Sequence, residues 1–160
     1  MEKLSAPAAQ IMDERFGHDT VIALATLENG LPCVRSVDAL YIGGAFYVVT
    51  DARSGKMRQL AANPACAVSG EWFSAQGLGE NLGSFGAPKN VELAAHLRAA
   101  FAAWLDNGHS DLGDPNCVIL KIALTQGVLF SHGTRYDIDF PRYAISFTQS
   151  VQIINDRPGR

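Results

Sequence analysis

Two glycine-containing turns constrain the fold of this chain more than any other feature of its sequence. Asn29-Gly30 separates the apolar runs 20–27 and 31–38, and Gly43-Gly44 is followed at once by a further apolar run, residues 45–49. Asparagine and glycine adopt the positive φ angles of two-residue turns, which join antiparallel neighbours. The first third of the chain is therefore predicted to be a series of hairpin-linked strands. Because residues 20–27 are apolar on both faces, that strand is expected to be covered on both sides.

The rest of the chain adds strands and three helices to this pattern. Helices are predicted over residues 5–17, where Ser5 and Pro7 start the helix well, over 56–62, and over 91–105, where apolar residues share one face. Further strands are predicted at residues 41–42, 65–72, 74–82, 117–125, 127–131 and 143–147, with a third hairpin between 117–125 and 127–131. Gly77 and Gly79 indicate bends or bulges. Since few strand–helix–strand crossovers occur, the pattern favours a closed antiparallel barrel or an α+β sandwich.

The length and net charge of the chain argue against some classes of function. A chain of 160 residues is one domain long, with only a loose tail expected at about 156–160. A net charge of −3 argues against nucleic-acid binding, which needs a basic face. The N-terminus has no signal-peptide pattern and no apolar stretch is long enough to span a bilayer, so a cytoplasmic protein without a membrane segment is expected.

The sequence contains no clear pattern for a metal site or for catalytic residues. Cys33, Cys66 and Cys117 are widely spaced and are interpreted as reduced, buried thiols, and no metal site is predicted. His109-Ser110-Asp111 contains the residue types of a catalytic triad, but as chain neighbours, which indicates a polar turn. No catalytic side chain is assigned.

Residues 50–58 form the strongest candidate site. In these nine residues a strand is followed by a short helix. Thr50 and Ser54 supply hydroxyl groups, and the backbone of Gly55 and Lys56 supplies N–H groups at the start of the helix. The side chains of Arg53, Lys56 and Arg58 supply three positive charges. With Ser54 as the cap, the helix N-terminus is a ready anion site, and phosphate favours this mixture of donors and charges. The alternative is a solvated turn with a capping serine and surface bases.

Arg35 adds a second element to this candidate site. By strand alternation it shares a face with Cys33 and Val37. An arginine among apolar neighbours needs an anionic partner, because an unpaired buried charge is costly. The partner is either a local carboxylate, Asp38 or Asp51, or the phosphate of a ligand.

The order of these pieces resembles the pyridoxamine 5′-phosphate oxidase-like, FMN-binding split-barrel superfamily. The resemblance covers about residues 21–79 and is carried by Ala25-Thr26, Gly30-Leu31-Pro32, Val34-Arg35-Ser36-Val37, the run from Phe46 to Lys56, and Leu60-Ala61-Ala62-Asn63-Pro64. It implies a mainly β protein, a six-stranded antiparallel split barrel with flanking helices. It also implies a homodimer with FMN at the subunit interface.

The resemblance assigns roles by position. Thr50, Ser54 and Lys56 fall on the phosphate-binding hydroxyls and lysine of the superfamily, and Arg35 falls near its strand arginine. Backbone groups of Ser36 and Val37 would lie beside the isoalloxazine ring.

Two departures from the superfamily pattern narrow the expected activity. Gly55 stands where the oxidase itself carries a second basic residue, so Arg53 is expected to compensate. The C-terminal Trp/Arg substrate signature of the oxidase is missing, since no tryptophan follows Trp104. The sequence therefore predicts an FMN-dependent oxidoreductase of unknown substrate rather than the oxidase itself. The alternatives are a flavin- or haem-binding stress-response protein of the same fold and a deazaflavin-dependent relative.

Overall fold

Antiparallel strands make up most of the computed structural model, which describes residues 5–107, 111–140 and 157–158. In chain order the elements are α1 (Ser5–Phe16), β1 (Thr20–Glu28), β2 (Leu31–Ile42), β3 (Ala45–Asp51), α2 (Gly55–Ala62), β4 (Ala65–Gly70), β5 (Phe73–Ser84), a single 3₁₀ turn (Pro88–Asn90), α3 (Val91–Ala100), β6 (Cys117–Ser131), β7 (Thr134–Asp139) and β8 (Arg157–Pro158).

Six of these strands close into a barrel. They pair in the order β3-β2-β1-β4-β5-β6, and β6 pairs back onto β3 from Ala45↔Ala123 to Asp51↔Cys117. β7 lies outside this closed set, on the free edge of β6. The predicted six-stranded antiparallel barrel with flanking helices is confirmed.

Both glycine-containing turns are confirmed as hairpins. Asn29 and Gly30 have φ angles of 52° and 78°, and Gly43 and Gly44 have 61° and 88°. Each turn joins strands in tight register, with Glu28↔Leu31 and Ile42↔Ala45 as the closing pairs. Residues 31–38 and 41–42, predicted as separate strands, are one continuous strand, β2.

The barrel wall opens at one place, between β2 and β3. β2 pairs with β1 along nearly its whole length, but with β3 only through Leu40–Ile42. β3 then continues beside β6 to Asp51, away from β2. The earlier half of β2 therefore has no strand partner on that side in the described part of the chain. We call this opening the seam.

Two buried clusters fill and cover the barrel. The interior cluster combines inward residues of the strands with α1 and α2, which pack at opposite ends; its α-helical members are Ala8, Met12, Phe16, Met57 and Leu60. The second cluster lies outside the barrel, where α3 packs over β2, β3 and β6 through Leu93 and Leu97. No described residue covers the outer face of β1 in this way, and Val21 is 64% exposed. The expectation that this strand is covered on both sides is therefore wrong for the described part of the single chain.

The third predicted hairpin is wrong. Residues 117–131 form one strand, in which Gln126 pairs with Gln76 of β5 and with Asp139 of β7. Gly127 marks close packing there rather than a turn, because a Cβ atom would meet both Ala75 and Ser74 at 3.0 Å. The actual turn is His132-Gly133, with φ angles of 48° and 77°.

Other boundaries differ in smaller ways. α3 ends at Ala100, although Phe101 beyond it is fully buried, as the apolar pattern indicated. Leu105 is fully buried as well. A register shift at Gln76/Gly77 confirms the bulge predicted there. Arg157–Pro158, expected in a loose tail, pairs with β7. The strand predicted at residues 143–147 lies outside the described residues, as do His109 and Ser110.

The end of the barrel that α1 covers provides a stability test. Phe16 is 2% exposed and packs against Phe46 and Phe73, with ring centroids 5.6 and 5.5 Å away. Phe16→Ala should lower the free energy of unfolding by about 3–5 kcal/mol, because it leaves a cavity beside the rings of Phe46 and Phe73. Urea denaturation measures this loss. The same substitution at Phe130, which is 43% exposed, is the matched control and should cost much less; equal losses would mean that α1 does not seal the barrel.

Candidate functional site

The predicted site residues come together at the open seam. Arg35 lies on the inner face of β2, in alternation with the buried Val37 and Ala39. Thr50 lies on the inner face of β3, two residues beyond the buried Val48. The chain then turns into α2, whose first residue is Gly55. The seam is thus bordered by Arg35 on one side and by the β3–α2 junction on the other.

Ser54 occupies the N-cap position of α2, but its side chain does not cap the helix. Its backbone is extended, with φ −66° and ψ 157°, and its hydroxyl makes no cap hydrogen bond. Oγ is buried and has no hydrogen-bond partner. A buried hydroxyl without a partner costs free energy that a bound acceptor would recover. The first N–H groups of the helix also lack intrahelical acceptors, as in any α-helix.

Arg35 is held by neutral acceptors. Its Nη1 donates to Thr26 Oγ1 at 2.5 Å and to the Leu24 carbonyl at 3.3 Å, and its Nη2 donates to Gln59 Oε1 at 2.8 Å. Asp38 and Asp51, the local carboxylates considered as partners, form no ion pair with it. In the described part of the chain, Arg35 has no carboxylate partner.

Lys56 is a second cation at the seam that forms no ion pair with a carboxylate among the described residues. Burial lowers the pKa of its ammonium group, the nearby positive charge of Arg35 lowers it further, and Asp51 partly opposes both. The two cations are therefore close enough to repel each other across the seam. Such an arrangement is favourable only with an anion between them.

Arg53 and Arg58 differ from these two residues because each is already paired. Arg53 Nη2 lies 2.8 Å from Asp51 Oδ2, and Arg58 Nη2 lies 3.1 Å from Glu28 Oε1, all with well-exposed side chains. Hydrogen bonds from Arg53 lower the pKa of Asp51 to about 2. Arg53, expected to compensate for Gly55, thus directs its guanidinium to Asp51.

Ser36 and Val37 lie on the part of β2 that borders the seam. Ser36 is exposed on the outer face and Val37 is buried in the interior. Because β1 is the only described strand that pairs with this part of β2, no backbone group of the described strands occupies its other edge, where a ligand could bond. The start of the helix is not crowded at Gly55, since a Cβ atom there would make only ordinary contacts, the nearest with Arg58 Nη2 at 3.9 Å.

Thr26 and Gln59 are site residues that the sequence analysis missed. Both are buried polar residues, 1% and 7% exposed, and they bond each other as well as Arg35. A signal for Gln59 existed: it lies three residues after Lys56, on the same side of a helix. For Thr26 the inward position in β1 could have been read from strand alternation.

A shallow groove runs over the outer face of the sheet beside the seam. It encloses about 750 Å³ and is lined by small residues of β1, β4 and β5, such as Ala23, Ala67 and Ser74, with Val34 of β2 at its border. Residues 126–128 of β6 and 137–139 of β7, which include two aspartates, complete the lining. No cluster of metal-binding side chains occurs among the described residues. The same residues include no helix long and apolar enough to cross a membrane.

Neither a family model nor a curated protein matches the sequence. Solved structures do match. A pyridoxamine 5′-phosphate oxidase-related, FMN-binding protein from Nostoc punctiforme is 16% identical with a TM-score of 0.58, over 85% of this chain and 90% of that one. The chain has the split-barrel fold. The resemblance to the pyridoxamine 5′-phosphate oxidase-like superfamily is confirmed at the level of the fold.

Other structures with the same split barrel differ in what they bind. An F420 reductase is 20% identical with a TM-score of 0.56, over 72% of this chain and 94% of that one. A heme-binding protein from Mycobacterium smegmatis is 20% identical with a TM-score of 0.59, over 87% of this chain and 59% of that one. The cofactor of this split barrel must therefore be argued from its own residues.

Proposed function

We propose that this split-barrel protein binds FMN and acts as an FMN-dependent oxidoreductase. The observation that carries the proposal is the pair of cations at the seam, Arg35 and Lys56, which have no carboxylate partner in the described residues. They lie beside a helix N-terminus whose Ser54 hydroxyl is buried and unsatisfied. A phosphate monoester would satisfy all three.

The charge balance supports one terminal phosphate. Arg35 and Lys56 supply two positive charges and the start of α2 adds a partial one, which matches a phosphate dianion. Arg53 and Arg58 are neutralised by Asp51 and Glu28, so they do not form a second phosphate site. This supports FMN over FAD.

Different residues of the seam would bind the phosphate group and the ring of FMN. Ser54, Gly55 and Lys56 would bind the phosphate from α2, with Thr50 and Arg35 on the two sides of the seam. The free edge of β2 at Ser36 and Val37 would orient the ring. FMN supplies the electron chemistry when bound, while the protein controls position and access. A role as pyridoxamine phosphate oxidase is not supported, because the substrate signature is missing.

A flavin suits the site better than haem. The described histidines, His18, His96 and His132, are all exposed, and none belongs to the seam. Because an F420 reductase and a heme-binding protein share this fold, the test of the cofactor below includes both of these cofactors as outcomes.

We also propose a cytoplasmic location, which the three unpaired cysteines support.

The identity of the cofactor is directly testable. The purified protein should show the two absorption bands of a flavin, and denaturation should release FMN. Chromatography of the released cofactor and an FMN titration of the apo-protein are the measurements. Release of FAD, a Soret band, or an apo-protein that does not bind micromolar FMN would each overturn the proposal.

Replacing Lys56 should separate phosphate binding from ring binding. Lys56→Ala removes a charge-assisted contact worth about 1.5–3 kcal/mol, so FMN should bind roughly ten- to a hundredfold more weakly. Riboflavin carries the same ring without phosphate, and its affinity should hardly change. Equal losses for both ligands would assign Lys56 to the fold or the ring.

The pH profile provides the control for this experiment. Only the protonated ammonium attracts phosphate, and its pKa lies below the ordinary 10.5. As the pH rises, the preference for FMN over riboflavin should therefore decline before pH 10.5 is reached. Lys56→Arg keeps its charge over this range and should retain the preference.

The second part of the proposal is that the protein forms a homodimer. The outer face of β1 and β2 carries exposed apolar residues, including Val21 at 64% and Val34 at 70%, next to the groove of small residues. Exposed apolar residues grouped on one sheet face favour an interaction site. We propose that a second copy of the chain covers this face and encloses the flavin ring.

The oligomeric state and its dependence on flavin test this arrangement. Light scattering should give the mass of two chains for the FMN-bound protein, and removal of FMN should favour dissociation, because a ligand bound by the dimer stabilises it. Val34→Asp should weaken the dimer by placing a charge in the interface, whereas Val91→Asp, at an equally exposed valine on α3, should not. A fully flavin-loaded monomer would exclude the dimer site.

A further inference from the structure

Gln59 connects the candidate phosphate site to the protein behind it. Its Oε1 accepts from Arg35 Nη2 at 2.8 Å and from Thr26 Oγ1 at 2.5 Å. Its Nε2 donates to Glu28 Oε2 at 3.1 Å. The amide is 7% exposed and lies on α2, one turn after the residues that begin the helix.

The hydrogen bonds leave the Gln59 amide only one orientation. Glu28 is a carboxylate and accepts only, so the NH₂ group must face it and the amide oxygen must face Arg35. Glu28 is itself held on its other oxygen by Arg58, 3.1 Å away. A surface ion pair thus determines which atom Gln59 presents to the site.

The acceptors around Arg35 share one property: they are neutral. Thr26, Gln59 and the Leu24 carbonyl accept three hydrogen bonds from the guanidinium group, which has five N–H donors, without cancelling its charge. A carboxylate in the same position would form a bidentate pair with arginine, which is the geometry that arginine favours. The Glu28 carboxylate is one side chain removed from Arg35, on the far side of the Gln59 amide.

We propose that Gln59 is a positioning residue that holds Arg35 against the bound phosphate while keeping its charge available. The proposal rests on the proposed function, FMN binding at the seam. It assigns Gln59 no contact with the cofactor. Its effect on affinity comes through the guanidinium.

Two substitutions at position 59 separate charge from anchoring. Gln59→Glu keeps the side-chain size but supplies a carboxylate that pairs with Arg35, so FMN should bind about ten- to a hundredfold more weakly. Gln59→Met removes the acceptor without neutralising Arg35, and its loss should be smaller. Riboflavin affinity should stay within about twofold of the parent in both. Isothermal titration of apo-protein with each ligand provides the measurement.

A double-mutant comparison tests whether Gln59 acts through Arg35. Gln59→Met should lower FMN affinity in the parent but should have no further effect in an Arg35→Ala background, because the group it positions is gone. Gln10→Glu, the same change at an exposed glutamine on α1, is the matched control for charge and should leave FMN affinity unchanged. Far-UV circular dichroism and urea unfolding confirm that the variants are folded.

The outcomes distinguish the two proposals. If the parent protein does not bind FMN, the proposed function is wrong, and the role proposed for Gln59 is then wrong as well. If the parent binds FMN and both Gln59 variants bind it equally well, only the positioning role is wrong. The positioning role would also be wrong if Gln59→Met lowered FMN affinity equally in the parent and in the Arg35→Ala background. The same holds if Gln59→Met lowered FMN affinity more than Gln59→Glu does.

Discussion

β6 is the strand on which the barrel depends. Over 15 residues it pairs with β5 along one edge, and along the other edge first with β3 and then with β7. Pairing with β3 closes the barrel and satisfies backbone groups that would otherwise form an exposed edge. It also draws β3 away from β2 after Tyr47, since one edge of β3 follows β6 while β2 stays with β1. The opening that results is where the candidate site lies.

The electrostatics of that opening follow from which charges are paired. Among the residues that the structure describes, Arg53 and Arg58 form ion pairs with carboxylates at the surface, whereas Arg35 and Lys56 form none and are partly buried. Gln59 and Thr26 satisfy the hydrogen bonds of Arg35 without neutralising it. A protein that maintains two such cations side by side accepts a destabilising repulsion. Active and binding sites commonly carry this kind of cost.

Several elements of the fold were predictable because their signals are local. The turns at Asn29-Gly30 and Gly43-Gly44 depend on the φ angles of their own residues, and α2 depends on the stretch before Asn63-Pro64. The hairpin predicted around Gln126 was wrong for the opposite reason. A glycine in a strand can mark a turn or a close approach of another backbone, and only the neighbours of Gly127 decide between them.

The sequence by itself determined the hairpin-linked strands, the interior face on which Arg35 lies, and the concentration of hydroxyls and cations in residues 50–58. These follow from periods of two and 3.6 residues and from turn geometry, which act over a few residues. Only the tertiary structure decided which cations are neutralised, that Ser54 leaves its hydroxyl unsatisfied rather than capping α2, and that Thr26 and Gln59 hold Arg35. Some of these outcomes rest on close neighbours in the chain, such as Arg53 and Asp51, but the contacts of Gln59 with Arg35 and with Glu28 join groups more than twenty residues apart. Contacts at such distances form only once the barrel closes and brings α2 against β1.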